Sequence, residues 1–305
     1  RIAGLVVSAI LSIASIILFY YPGLNYGIDF HGGIVMEVRT PGPADFAGMR
    51  SSLGKLGLGE VALQQFGGPQ EVLIRLKQQE GGGEEATQKA VNQVRESLTQ
   101  QYPGTEIRRV EAVGATVSAE LFRGGMIAVG LALVAMLIYI WFRFEWQFGV
   151  GAVVTLVLDV TKTIGFFAIT GMQFNLTSVA AILTIMGYSI NDKVVVYDRM
   201  RENLRKYKSM PLRQLIDLSI NETLSRTINT SLTTFLATTP LAIIASGSVQ
   251  DFAIVVLFGI VVGTSSSIFI AAPILLFLGE NRLRRGAPAE PAKKADGGKK
   301  AASTA

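Results

Sequence analysis

The chain has 305 residues, of which 50% are hydrophobic and 17% are charged. This charged fraction lies well below the ~25% typical of soluble domains, so the composition excludes a soluble globule or a disordered chain and indicates membrane spans. The chain has no cysteine and one histidine, His31, which excludes thiolate and histidine-cluster metal sites. We therefore expect neither a metal nor a cofactor.

Six continuous apolar runs, each about 20 residues long, predict six membrane-spanning helices. The predicted spans are 2–20, 124–142, 148–169, 176–197, 227–245 and 252–278. The first run precedes YYPGLNYG, which has no small-x-small cleavage site, so we expect a permanent span and not a signal peptide. The predicted organisation is a first helix at 1–20, an α+β domain at 21–123 and an α-helical bundle at 124–280.

The segment 21–123 has alternating strand and helix patterns. The predicted elements are a strand at 33–40, a helix at 43–56, strands at 60–66 and 70–77, a helix at 84–102 and a strand at 105–114. This β-α-β-β-α-β order is typical of a ferredoxin-like domain. Because it has no nucleophile–base pair and no ligand cluster, we expect a binding or docking module and not an enzyme.

Lysine and arginine residues are concentrated in the loop 199–226 and in the tail 281–305. By the positive-inside rule, both segments and both termini are cytoplasmic, and 21–123 is extracytoplasmic. We expect the loop to contact anionic lipid and the tail to be disordered. The net charge of +5 then reflects cytoplasmic anchoring, and no nucleic-acid partner is expected.

The third predicted span contains Asp159 and Lys162 one turn apart, where they can pair. An ionisable residue inside a span is costly unless it is paired or hydrated, so both are candidate functional residues. Two interpretations stay open for Asp159. It is either part of an ion pair that fixes helix packing or a group that transfers protons.

The fourth predicted span carries GYSINDKVVVYDRMREN, in which Tyr188, Ser189 and Asp192 share one helical face. A desolvated aspartate can exchange a proton near neutral pH, so Asp192 is the leading candidate for proton transfer. The alternative is that Asp192 only hydrogen-bonds neighbouring helix ends. Lys193 is turned about 100° away and is expected to reach the cytoplasmic interface or to pair elsewhere.

The fifth predicted span follows Arg226, which cannot lose its proton and can act only as a fixed positive charge. The threonines on its helical face are Thr223, Thr230, Thr233 and Thr234. Their hydroxyls are expected either to hold a file of water or to bond the backbone and neighbouring helices.

Three motifs carry a resemblance to a known family. They are GLNYGIDFHGG after the first span, with Gly27, Asp29, Gly32 and Gly33; GYSINDKVVVYDRMREN, with Asn191, Asp198 and Arg199; and NETLSRTINTSLTT before the fifth span. In this order, with six spans and a domain after the first, the chain resembles the SecD/SecF family of protein-export membrane subunits on its SecF side. The resemblance extends from residue 1 to about residue 285.

The resemblance implies a subunit of the Sec protein-translocation machinery in the bacterial cytoplasmic membrane, related to the RND transporter superfamily. Its implied partners are SecD, the SecYEG channel, YajC, YidC and an unfolded preprotein. SecD and the SecF-type subunit together draw the preprotein outward with the proton-motive force. The family's proton path falls on Asp192 and Arg226, and its third-span aspartate falls on Asp159. Leu158 stands where many relatives have histidine, and Lys193 where many have a hydroxyl residue.

Two other functions stay open. An RND-type exporter of small molecules would usually repeat the six-span half, and no second half is present in this sequence. In a non-catalytic assembly subunit, the buried charges would only fix helix pairing. Whether the chain is separate or belongs to a fusion with a SecD-like half also stays open.

Overall fold

The computed structural model describes residues 2–65, 68–77, 84–144 and 146–277. The predicted disordered tail at 281–305 lies outside these residues. In chain order, the N-terminal elements are α1 (Ile2–Tyr20), β1 (Asn25–Tyr26), α2 (Ile28–His31), β2 (Gly33–Arg39), α3 (Phe46–Gly54), β3 (Val61–Gln65), β4 (Glu71–Leu76), α4 (Glu84–Gln101) and β5 (Glu106–Val113). They are followed by α5 (Ala115–Arg143), α6 (Trp146–Thr170), β6 (Gln173–Phe174), α7 (Leu176–Lys206), α8 (Leu212–Ile244), α9 (Ser248–Ser266), a π-helical turn (Ser267–Ala271) and α10 (Ala272–Phe277).

Four helices in the described part of the chain are long and apolar enough to cross a membrane. They are Ala115–Arg143, Trp146–Thr170, Leu176–Lys206 and the continuous stretch Ser248–Leu276. The first apolar run forms α1, and its stretch Val6–Tyr20 is a shorter apolar helix. The fifth run lies within α8, a 33-residue helix that also contains Arg226 and many threonines. The chain is therefore a helical membrane protein.

The helices extend beyond the apolar runs that predicted them. Helix α5 begins at Ala115, although its apolar run begins at 124. Helices α7 and α8 together cover most of 199–226, which was predicted as a loop, and only 207–211 connect them. The difference arises because hydropathy marks where a helix meets lipid, whereas backbone hydrogen bonding continues into amphipathic flanks.

The segment between α1 and α5 contains a four-stranded antiparallel sheet with strand order β3-β4-β2-β5. Its four strands and two helices occur in the predicted order and lie within three residues of the predicted bounds. One face of the sheet packs on α3 and α4 through a core that includes Met36, Ile74, Leu53 and Val94. The other face contains Glu37, Arg75 and Arg109 and, with the outer ends of the membrane helices, lines a cleft of 340 Å³.

The membrane helices pack around α7, which contacts α5, α6, α8 and α9. Close approach of α9 to α7 depends on glycine, because a Cβ atom at Gly259 would collide with the side chain of Ile185. One turn later Gly263 lies against Ser189. This contact brings the polar end of α9 to the middle of the bundle, where the charged side chains of α6 and α7 meet.

Candidate functional site

Asp159 is the centre of a buried polar network. Its side chain, which is 0% exposed, lies on α6 and faces α7 and α9. Oδ2 accepts hydrogen bonds from Lys193 Nζ at 2.9 Å, from Ser189 Oγ at 2.7 Å and from Ser266 Oγ at 2.7 Å. Three donors on two other helices therefore satisfy one carboxylate oxygen, and the network joins α6, α7 and α9.

The predicted pair of Asp159 and Lys162 is present, but it is not the closest contact. Lys162 Nζ lies 3.8 Å from Asp159 Oδ1, which is too long for a hydrogen bond. Lys193 is the nearer cation, is fully buried, and also donates to Ser189. Lys193 was expected either to extend to the membrane interface or to pair within the bundle. The second expectation is confirmed, and its partner is Asp159.

Asp192 lies one residue before Lys193 but on the side of α7 that faces α8. Its side chain is 4% exposed, and its Oδ2 is buried without a hydrogen-bond partner among the described residues. Thr227 on α8 faces this carboxyl as its candidate donor, but Oγ1 of Thr227 lies outside hydrogen-bonding geometry. An ionised carboxylate is costly to bury in this way, so the environment favours a group that can take up a proton.

Arg226 lies near Asp192 on α8 but projects from the exposed side of that helix. It forms no ion pair with any residue in the described ranges. The adjacent position Thr227 turns inward and is buried. The predicted partners Asp192 and Arg226 are thus close in space without a direct ion pair.

The side chains of the predicted polar path bond either to a neighbouring helix or to the backbone of their own helix. Tyr188 Oη donates to Ser231 Oγ at 2.8 Å, which links α7 to α8, whereas Ser189 belongs to the Asp159 network. The four threonines donate to carbonyl oxygens of their own helix. These bonds run from Thr223 to Ser219, from Thr230 to Arg226, from Thr233 to Asn229 and from Thr234 to Thr230. Backbone bonding is therefore the observed one of the two predicted threonine roles.

The motif residues Asp198 and Arg199, near the C-terminal end of α7, form ion pairs with neighbouring helices. Asp198 pairs with Arg143 of α5 at 2.7 Å, and Arg199 pairs with Glu222 of α8 at 2.7 Å. Asn191 is exposed. Arg143 and Glu222 were not predicted from the sequence, because ordinary helix-flanking charges give no signal that distinguishes a partner.

The glycine motif connects the first span to the outer end of α7. Gly27 N donates to Phe174 O at 2.9 Å, and Asp29 Oδ2 accepts from Leu176 N at 2.9 Å. Gly32 and Gly33 have φ values of 71° and 121°, and they turn the chain from α2 into β2. His31 lies against Tyr26, with ring centroids 5.1 Å apart.

Arg75 of β4 contacts the same segment from the domain side, and its Nη1 donates to Asn25 Oδ1 at 3.3 Å. Burial lowers the pKa of this guanidinium, which nevertheless remains charged because the ordinary value is so high.

Within the described ranges, no three His, Asp or Glu side chains lie close enough together to hold a metal ion.

Two sequence models of known families match this chain. The C-terminal model of the protein export membrane proteins SecD/SecF matches residues 93–281, and the SecD/SecF GG motif matches residues 22–40. The chain belongs to the SecD/SecF family. The second match coincides with the glycine motif, so the hydrogen-bonded connection to α7 is built from the family's own signature.

Curated relatives cover nearly the whole chain. The protein translocase subunit SecF of Rickettsia rickettsii is 48% identical over 269 residues, which are 88% of this chain and 86% of that protein. SecF of Rickettsia bellii is 45% identical over 279 residues, which are 91% of each protein.

Two solved structures also match. The crystal structure of SecDF, a translocon-associated membrane protein from Thermus thermophilus, superposes with a TM-score of 0.80 at 33% identity. It covers 90% of this chain, and this chain spans 37% of that protein. A crystal structure of SecDF in a super-membrane-facing form gives a TM-score of 0.63 at 31% identity, with 93% and 38% coverage.

Proposed function

We propose that this chain is the SecF-type part of a proton-driven protein-export machine, in which Asp192 carries the proton and Arg226 is the fixed positive charge beside it. The observation that carries the proposal is the environment of Asp192, which is buried and forms no ion pair within the described residues, whereas Asp159 is bonded to the buried Lys193. A carboxyl that alternates between ionised and protonated forms needs such a site, because a carboxylate bonded to a buried lysine is held in its ionised form.

The proposed architecture is a bundle of six spans with a ferredoxin-like extracytoplasmic domain. Helices α1 and α8 would be the two spans beyond the four that are long and apolar by composition. The strand order β3-β4-β2-β5, with α3 and α4 on one face, supports the ferredoxin-like assignment. We assign 1–20 to the first span, 21–123 to the domain, 124–280 to the remaining bundle and 281–305 to a cytoplasmic tail.

The exposed face of α8 supports a protein partner inside the membrane. Ser225, Arg226, Asn229 and Thr233 are all exposed along this face. Polar and charged groups are costly in contact with lipid, so a second bundle would cover them. This chain spans 37% of the SecDF protein, and we propose that a SecD-like half supplies that bundle.

The proposed location is the bacterial cytoplasmic membrane, with both termini on the cytoplasmic side. The basic side chains of Arg143, Arg199, Arg201 and Arg205 lie together at one end of α5 and α7, as the positive-inside rule requires of the cytoplasmic end. Anionic lipid would meet this end. The SecYEG channel, YajC, YidC and the emerging unfolded preprotein are the further proposed partners, and no enzymatic step is proposed.

The energy available is sufficient for a mechanical step. Each proton that crosses a potential of 100 mV supplies about 2.3 kcal/mol, so a few protons together can drive a conformational change. Neutralising Asp192 would remove its attraction to Arg226, and ionising it would restore that attraction. Each cycle of protonation and deprotonation of Asp192 would therefore change the packing of α7 against α8.

The test is proton-dependent preprotein export in membrane vesicles that contain the complete complex. We expect Asp192→Asn and Arg226→Ala each to reduce the stimulation of export by the proton-motive force at least tenfold, which is a cautious bound because a positioned proton-transfer group typically contributes about 10²–10⁴-fold. The matched controls are Asp217→Asn and Arg213→Ala, which change exposed residues of α8. Normal stimulation in both test variants, at confirmed expression, would refute the mechanism.

For Asp159, in contrast to Asp192, the hydrogen bonds favour a role in assembly. The Asp159 network joins three helices through fully buried bonds, which suits a structural anchor. If Asp192→Asn also prevented assembly with the SecD-like partner, the same role would extend to Asp192, and the chain would be a non-catalytic assembly subunit.

A further inference from the structure

The family's glycine motif lies between α1 and β2, at the opposite end of α7 from Asp198, and contacts neither Asp159 nor Asp192, so proton transfer does not explain it. The structure brings it against α7, the helix that carries Ser189, Asp192 and Lys193. From Leu176 at the outer end of α7 to Asp192 is 16 residues, or about 24 Å along the helix axis. Secondary-structure elements of this length can carry coupling between two sites.

Asp29 holds the outer end of α7 directly. Its Oδ2 accepts from Leu176 N, which is one of the amides that a helix leaves unpaired at its start. The N-cap Asn175 accepts from Ser178 N at 2.9 Å. The first turn of α7 is thus capped by two side chains, one from its own sequence and one from a segment 147 positions earlier.

Backbone pairing fixes the same segment to the loop before α7. Strand β1 pairs in parallel with β6, with Asn25 opposite Gln173 and Tyr26 opposite Phe174. Asn25 Nδ2 also donates to Gly171 O at 2.8 Å. Gly27 allows a close crossing, since a Cβ there would lie only 3.1 Å from the Cβ of Asn175.

The extracytoplasmic domain is attached to this junction at two points. Gly32 and Gly33 lead from α2 directly into β2, which is a central strand of the sheet. Arg75 of the adjacent strand β4 donates to Asn25 Oδ1. It also donates from Nε to Gln173 Oε1 at 3.0 Å when the Gln173 amide is turned so that its oxygen faces the guanidinium. The sheet, the motif and α7 are therefore joined without a flexible linker between them.

We propose that Asp29 is a positioning residue that couples α7 to the extracytoplasmic domain, so that a shift of α7 at Asp192 moves the sheet through the segment Asn25–Gly33. The proposal deepens the proposed function and rests on it for the origin of the shift. The contact between Asp29 and α7 can be tested separately from export.

The first test is hydrogen exchange of the full chain in its membrane complex, comparing wild type with Asp29→Ala. We expect amide exchange in the first turn of α7 to accelerate roughly fivefold, the size typical of losing one capping acceptor. The matched control is Asp45→Ala, which removes the cap of α3 within the domain and should accelerate exchange only there. Asp29→Asn keeps an acceptor and should restore most of the protection. Unchanged exchange at Leu176–Ser178 in Asp29→Ala overturns the proposal.

The second test measures coupling. Asp192→Asn should change exchange in strand β4 of an otherwise wild-type chain, and this change should disappear when Asp29→Ala is also present. Persistence of the change in the double variant, or its absence in the otherwise wild-type chain, overturns the coupling. If export proves insensitive to Asp192→Asn, the proposed function fails, while exchange at Leu176 still decides whether Asp29 holds α7.

Discussion

Asp159 and Asp192 are both buried aspartates inside the same bundle, on neighbouring helices, yet their surroundings differ. One oxygen of Asp159 receives three hydrogen bonds, including one from a buried lysine. Asp192 has an oxygen without a partner in the described part of the chain and faces a threonine in the same condition. Asp159 Oδ1 is likewise buried without a hydrogen-bond partner among those residues, so the difference between the two sites is the buried lysine that bonds Asp159, and such an ion pair favours the ionised form of a carboxyl group.

The largest effect on stability is expected from Lys193→Met. This change leaves the buried charge of Asp159 without its nearest cation, and removing one partner of a buried pair typically costs about 3–5 kcal/mol. The measurement is the free energy of unfolding of the purified complex in mild detergent. Lys162→Met is the matched control, since Lys162 lies 3.8 Å from the same carboxylate without a hydrogen bond. The free energy of unfolding should decrease clearly less in Lys162→Met than in Lys193→Met. Equal losses would show that Asp159 does not distinguish the two lysines.

A smaller effect is expected from Ser266→Ala, which removes one donor to Asp159. A hydrogen bond to a charged group contributes about 1.5–3 kcal/mol, so the same unfolding measurement should show a loss in that range. Ser265→Ala serves as control because Ser265 is exposed and bonds only Val262 O of its own helix. Its effect should stay within about 0.5 kcal/mol. Similar values for both variants would remove Ser266 from the Asp159 network.

The sequence alone predicted the elements with strong periodicity. The apolar runs identified the long helices, and the alternating and helical patterns at 33–114 predicted each strand and helix of the domain. These predictions succeed because hydrophobic period and local turn chemistry are properties of neighbouring residues.

The partners within the site could not be predicted, because they depend on how helices rotate against one another. Asp159 was paired with Lys162 from spacing, whereas the closer contact is with Lys193, 34 residues away. Ser266 is an uncharged residue in a small polar run of α9, and nothing in its sequence context distinguishes it as a donor to Asp159. Arg226 lies near Asp192, but Thr223 and Thr227 occupy the buried side of α8 and Arg226 is exposed, which the sequence does not reveal.

In the proposed cycle, Asp192 changes its protonation state while Asp159 remains ionised. Infrared difference spectroscopy between acidic and alkaline pH, on the reconstituted complex, measures this directly through the carbonyl stretch of a protonated carboxyl group. The account predicts a band that is lost in Asp192→Asn and retained in Asp159→Asn. A band that survives in Asp192→Asn and disappears in Asp159→Asn would contradict it.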